Sequence, residues 1–243
     1  MTQHRDGFQP NVIVIDDTRK LLRAWQDRMR DRSLTALLFI ELCAVFLAAP
    51  LAAEGIPIAQ PILATLLLAV LAIVVTLSRR WGAISLILLG VLAIAASILL
   101  NGQWAPLSAT MLRRVGDILT FSALTWVVGH AVYAPGRITS HRLQGAVVLY
   151  LNFAMIFASF YSLIWALRPD AFANLVAQPG GPDEVATMLY FSLTTLTTTG
   201  YGDIVPIDQM ARSLANLEAV IGQFYLAITV ARLVTLELQD RRR

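Results

Sequence analysis

Charge is scarce in this sequence: Asp, Glu, Lys and Arg make up 14% of 243 residues, against 57% hydrophobic residues. So few charges cannot coat a water-facing surface, which excludes an ordinary soluble domain and implies several membrane spans. A mean hydropathy of +0.65 agrees. Cysteine is scarcer still. The single Cys43 sits inside an apolar run, so no intrachain disulfide can form and no charged neighbour activates the thiol. The three histidines, His4, His130 and His141, are scattered without metal-ligand spacing. No convergent set of acids, histidines or metal ligands suggests an enzyme, and no organic cofactor is expected. The net charge of +3 could suit nucleic acid, but no basic stripe with interleaved aromatics is present, so nucleic acid is not an expected partner. The first 33 residues are too charged for a cleavable signal peptide.

What is present is a series of apolar stretches near the ~20 residues that cross a bilayer core. They run Leu34–Ala53, Ile58–Leu77, Gly82–Leu100, Leu107–Tyr133, Leu143–Leu167 and Gln209–Leu236. Turn residues or charges separate them: Pro50, Gly55 and Pro57; Arg79 and Arg80; Asn101 and Gly102; Pro135 and Gly136. Ahead of the first span, Leu21, Leu22, Trp25 and Met29 recur at helical spacing among arginines in the segment 1–33. This segment reads equally as a membrane-surface or partner helix and as a solvated lead-in. Between the fifth and sixth spans a polar, Gly/Pro-punctuated segment precedes an apolar run of only about 15 residues, too short to cross and suited to a re-entrant helix.

The basic residues give an orientation. With the N-terminus in the cytoplasm, the N-terminal arginines, Arg79, Arg80, Arg137, Arg142, Arg232 and the short tail 237–243 collect on the inner side. Arg113, Arg114, Arg168 and Arg212 remain outside, with the re-entrant segment. The expected fold is therefore an all-α membrane protein: six transmembrane helices, a re-entrant helix at 183–197 and a loop at 198–203. Its location is the cell membrane, multi-pass, with both termini cytoplasmic. A four-helix domain, 34–133, precedes a second domain, 143–236.

The short helix ends in Thr198-Thr199-Gly200-Tyr201-Gly202-Asp203. A dehydrated potassium ion needs oxygens in place of its water shell, and backbone carbonyls supply them if successive residues turn them to one axis. Such a chain alternates ordinary with left-handed dihedrals, and glycine takes the latter without steric cost. Gly200 and Gly202 fall at alternate positions. Thr198 can add a hydroxyl at the inner mouth, and Tyr201 can brace the loop from behind. Asp183 and Glu184 put negative charge at the N-terminal end of the short helix, where the dipole favours it, and the helix aims its C-terminal end, near Thr197, at the membrane centre. One chain supplies one such loop, so a pore needs several copies.

The stretch Tyr190–Pro206, YFSLTTLTTTGYGDIVP, resembles the pore loop of the tetrameric potassium-channel superfamily. The likeness extends from Gln144 to about Leu236 and includes a sixth span like that of bacterial channels with a two-helix pore. The resemblance implies a homotetramer in the lipid bilayer that conducts K+ passively. It also implies ion sites formed by the carbonyls of Thr198, Thr199, Gly200 and Tyr201 with the Thr198 hydroxyl, completed by Gly202. Gly222 stands where the family's inner helix carries its gating hinge; close packing against the pore helix is the alternative. Thr199 replaces a commoner valine or isoleucine. Tyr190 and Phe191 replace a common tryptophan pair behind the filter tyrosine, and they join Thr197, Asp203 and Glu218 as expected filter supports. Gln223, Ala227, Val230 and Val234 share one helical face and either line the cavity or pack against a neighbouring helix.

The four leading spans resemble a voltage sensor in layout only. The fourth carries Arg113 and Arg114 side by side, with Asp117 within pairing reach, rather than a ladder of arginines. The intramembrane acids Glu41 and Glu218 are functional candidates. Glu218 is expected to bond to the pore helix, and Glu41 to make an interhelical bond or stay protonated rather than transfer protons. A weakly selective cation channel of the same fold would be favoured by loss of Tyr201, which is present. A single-chain transporter would need four unlike filter repeats, where one is found.

Overall fold

The computed structural model describes residues 33–56, 81–100, 106–133, 140–175, 181 and 183–241, with isolated positions between 62 and 73. The amphipathic segment before Ser33 and most of the expected span 58–77 lie outside these residues. Among the described residues four helices are long and apolar enough to cross a membrane: Ser33–Ala53, Leu107–Val132, His141–Leu167 and Gln209–Arg232.

Helix α1 (Ser33–Ala53) widens into a π-turn over Ala44–Ala48. Pro50 lies two residues beyond Ala48 and has no amide to give the carbonyl four residues back, which favours the wider turn. Helix α2 (Trp81–Leu100) lies against α3 (Pro106–Val132). They cross where Gly90 meets Gly116: a Cβ on either would fall within 3 Å of the other's carbonyl oxygen, at 2.9 and 2.8 Å. In lipid, where apolar burial does not drive helices together, such close crossings and polar bonds do.

Helix α4 (Ser140–Leu167) is the centrepiece, touching both halves of the chain. On one side Val148 and Leu149 join Leu34 and Leu37 of α1 and Val128 of α3 in a buried cluster. On the other, Phe157 and Tyr161 join Met188, Phe191 and Leu196 of the short helix α5 (Glu184–Leu196). Polar bonds tie the helices across these clusters. Asn152 donates to Glu41 at 2.8 Å, so Glu41 has the interhelical partner expected of it. Tyr225, on α6 (Gln209–Arg241), donates to the Ala146 carbonyl at 2.7 Å. Helix α6 continues beyond Leu236, where the apolar pattern stops, to Arg241.

Outside the helices a two-stranded antiparallel clip joins β1 (Phe172–Ala173) to β2 (Val205–Pro206). The amides of Ile207 and Asp208 both donate to the Ala171 carbonyl, at 2.8 and 3.1 Å, and Arg168 pairs with Asp208. These contacts close the segment after α4 onto the segment before α6. The loop between α5 and β2 is thereby held at both ends.

Candidate functional site

Helix α5 has 13 residues, about 20 Å of rise, against an apolar core about 30 Å thick. Its end is written in threonines. The hydroxyls of Thr194 and Thr195 donate back to the Phe191 carbonyl at 2.9 and 2.8 Å, and that of Thr197 to Leu193 at 2.7 Å. The amide of Thr198 then donates to the Thr195 carbonyl at 2.9 Å and that of Thr199 to Thr194 at 2.8 Å. This is the paired bonding of a Schellman cap, whose left-handed position glycine usually fills. Here Thr198 fills it, with φ of +57°.

Left-handed dihedrals recur at Gly200 (φ +53°) and Gly202 (φ +79°). Thr198, Gly200 and Gly202 therefore alternate with Thr199 and Tyr201, as the sequence suggests for the two glycines. That the alternation begins at a threonine was not legible from residue type, because a β-branched residue is costly there. The Thr198 hydroxyl accepts a bond from Gln223 of α6 at 3.2 Å, which brings the first loop residue and the first of the suggested cavity-lining residues together. Thr199 turns the other way, its hydroxyl 2.9 Å from that of Thr197.

Behind the loop, the Tyr190 hydroxyl donates to Asp203 at 2.6 Å. The Tyr190 and Tyr201 rings stack with centroids 6.3 Å apart and planes within 2°. The bond from Tyr190 holds the Asp203 carboxyl below the usual carboxylate range; desolvation opposes this and the Ile204 amide adds to it. Phe191 does not join that group. It is buried edge-to-face against Tyr161 (4.9 Å) and Phe172 (5.5 Å), supporting α5 from the α4 side.

Glu218 is fully buried and accepts from the Tyr161 hydroxyl at 2.6 Å; the Ser192 hydroxyl of α5 is its other neighbour. The sequence leads to α5 as a partner for Glu218, whereas Tyr161 was missed. An apolar-flanked tyrosine on α4 was the available signal, since buried tyrosines need a partner for their hydroxyl. Tyr150 likewise donates to the Leu196 carbonyl at 3.1 Å. That carbonyl also meets Gly222, in mid-helix on α6: a Cβ there would lie 2.2 Å from the Leu196 oxygen. Close approach thus gives Gly222 a reason to be glycine that needs no bend. Gln223, Ala227 and Val230 are exposed on the single chain, and the side chain of Val234 lies outside the described residues.

On the single chain residues 197–203 are all exposed. The left-right alternating loop hangs from a short helix set between two long apolar helices. Residues 145–238 match the family described as ion channel. The inward rectifier potassium channel Kirbac3.1 of Paramagnetospirillum magnetotacticum is 28% identical over 85 residues, covering 35% of this chain and 27% of that protein. The potassium voltage-gated channel subfamily KQT member 1 of Squalus acanthias is 29% identical over 107 residues, covering 42% of this chain and 16% of that protein. The chain thus spans less than a third of the length of either relative. No solved structure matches it.

Proposed function

We propose that the chain is one subunit of a potassium-selective channel, with four copies arranged around the loop 198–203. The observation that carries this reading is the alternation of left-handed dihedrals at Thr198, Gly200 and Gly202. Such a backbone can turn successive carbonyls the same way and replace the water shell of a bare cation. The matches to the ion-channel family and to two potassium channels support a channel rather than an enzyme. The exposure of 197–203 supports assembly, because irregular backbone at membrane depth is tolerated only where protein or a water-filled cavity covers it. In this reading the Thr198, Thr199, Gly200 and Tyr201 carbonyls and the Thr198 hydroxyl hold K+. Gln223, Ala227 and Val230 face the inner cavity, both termini are cytoplasmic, and any bend of α6 centres on Gly222.

Subunit counting in bilayers together with reversal potentials in mixed potassium and sodium tests the reading. Four-step bleaching and a reversal potential that follows the potassium gradient are expected. A dimer, or a reversal potential indifferent to exchanging potassium for sodium, contradicts it.

A further inference from the structure

Arg114 and Glu184 are 70 positions apart in sequence, yet the Arg114 guanidinium lies 2.7 Å from the Glu184 carboxylate. Their side chains are 4% and 1% exposed. Arg114 belongs to α3, and Glu184 is the first residue of α5. The pattern of charges pairs Arg114 with Asp117 on its own helix and leaves Glu184 to the helix dipole. Arg114 does reach Asp117, but at 3.4 Å, and its shorter contact crosses to the pore helix.

We propose that Arg114 is a positioning residue for the filter, and that the four-helix domain acts on the ion pathway directly through the Arg114–Glu184 pair. This rests on the channel reading above. A buried ion pair is a poor device for stability, because desolvation of both charges offsets their attraction; what it fixes is a distance and a direction. Here it fixes the outer end of α5. The inner end of the same short rod carries the Leu196 carbonyl, held by Tyr150 and abutting Gly222, and continues through the Schellman cap into Thr198. A displacement of Glu184 by α3 therefore moves the helix whose last turn sets the first left-handed residue of the filter.

Two features let the link change state. Asp117 offers Arg114 a second carboxylate one turn along α3, so the guanidinium can shift its weight from one helix to the other without losing its countercharge. A half-open pocket of about 270 Å³ adjoins the pair, lined by Arg113, Arg114 and Asp117 and by apolar side chains including Phe121, Met155 and Leu189. It gives those side chains room to rearrange, where a close-packed interior would hold them fixed.

The test uses the full chain in bilayers and compares wild type with R114Q, E184Q and the exchange R114E/E184R. The decline of current at constant voltage, and its slowing by external potassium, report on the filter. Each single variant is expected to speed the decline about tenfold, within the range of coupling between neighbouring residues, and the exchange to return it to within about threefold of wild type. Wild-type decline in both single variants, or an exchange as fast as the two singles combined, overturns the proposal. Should the exchange fail to assemble, R114K and E184D decide, since they keep charge and alter reach: wild-type decline in both overturns it. Amide hydrogen exchange at 194–203 in the same variants gives the comparison without ion flow. A failed channel reading would show in the wild-type reversal potential, whereas a failed link would show as unchanged protection.

Discussion

Gly222 sits directly against the Leu196 carbonyl, so that a Cβ would come within 2.2 Å of its oxygen. No side chain can be added there unless the end of helix α5 moves. Gly222→Ala is expected to destabilise the folded protein by about 1–3 kcal/mol, the range for overpacking a filled site. The same substitution should disturb conduction, because Leu196 lies two residues before Thr198. Thermal unfolding of the purified protein decides between packing and bending. A variant with normal stability but reduced open probability would restore the hinge as the reason for this glycine.

Glu218 lends itself to counting hydrogens. The single Ser192 hydroxyl hydrogen faces two acceptors, the Ala154 carbonyl at 2.8 Å and Glu218. Both contacts are satisfied together if the carboxyl is protonated and donates to Ser192, which then donates to Ala154. Tyr161 donates to the other carboxyl oxygen. Glu218→Gln keeps a neutral group with an acceptor oxygen for Tyr161 and an N–H for Ser192, adds a second N–H, and should destabilise less than truncation does. Glu218→Ala leaves the buried Tyr161 hydroxyl without its acceptor and should cost about 1–3 kcal/mol. Denaturation of both variants checks this, and equal losses would refute the protonated network.

The periodicity of apolar residues was enough to locate the described long helices to within three residues at most ends, because a bilayer demands uninterrupted apolar length. The C-terminal end of α6 is the exception: its last turn carries charge, and helix propensity there continues past the apolar run. The glycines of the loop were legible because residue type reports directly on dihedral preference. What the sequence hid depends on pairs distant in the chain. Arg114 looks complete with Asp117 three residues away, so nothing local points to Glu184. Tyr161 and Tyr150 look like ordinary apolar positions until α5 is placed against them. The clip between Phe172–Ala173 and Val205–Pro206 is too short to show any alternation.

Asp203 should give the outer loop a particular response to acid. Its folded-state pKa is depressed, so the stability it contributes is present above the unfolded value of about 3.9 and is lost as pH falls through the lower folded value. Currents should therefore be insensitive to external pH between about 8 and 5 as far as this group is concerned. Tyr190→Phe removes the donated bond and should move any acid-induced loss of current to higher pH. An unchanged acid profile in that variant would show that the Tyr190–Asp203 bond does not govern the loop.

Thr198 and Thr199 are adjacent but face opposite demands, and substitutions separate them. Thr198 holds a left-handed dihedral that costs a residue with a Cβ about 1–2 kcal/mol, yet it carries a hydroxyl next to Gln223. A strained position at a candidate site suggests that the side chain is kept for function. Thr198→Gly should relieve the strain and stabilise the folded protein by about 1 kcal/mol while lowering conductance and weakening barium block from the cytoplasmic side. Thr198→Ala should weaken the block without that gain in stability. Thr199 contacts the Thr197 hydroxyl, which also has the Leu193 carbonyl to donate to, so its removal orphans no buried donor. Thr199→Val should leave conductance and barium block nearly unchanged. The three variants measured in one bilayer assay, with thermal unfolding alongside, resolve the two roles. If Thr199→Val abolishes barium block and Thr198→Ala does not, the ion-facing hydroxyl is one residue further along the loop than proposed here.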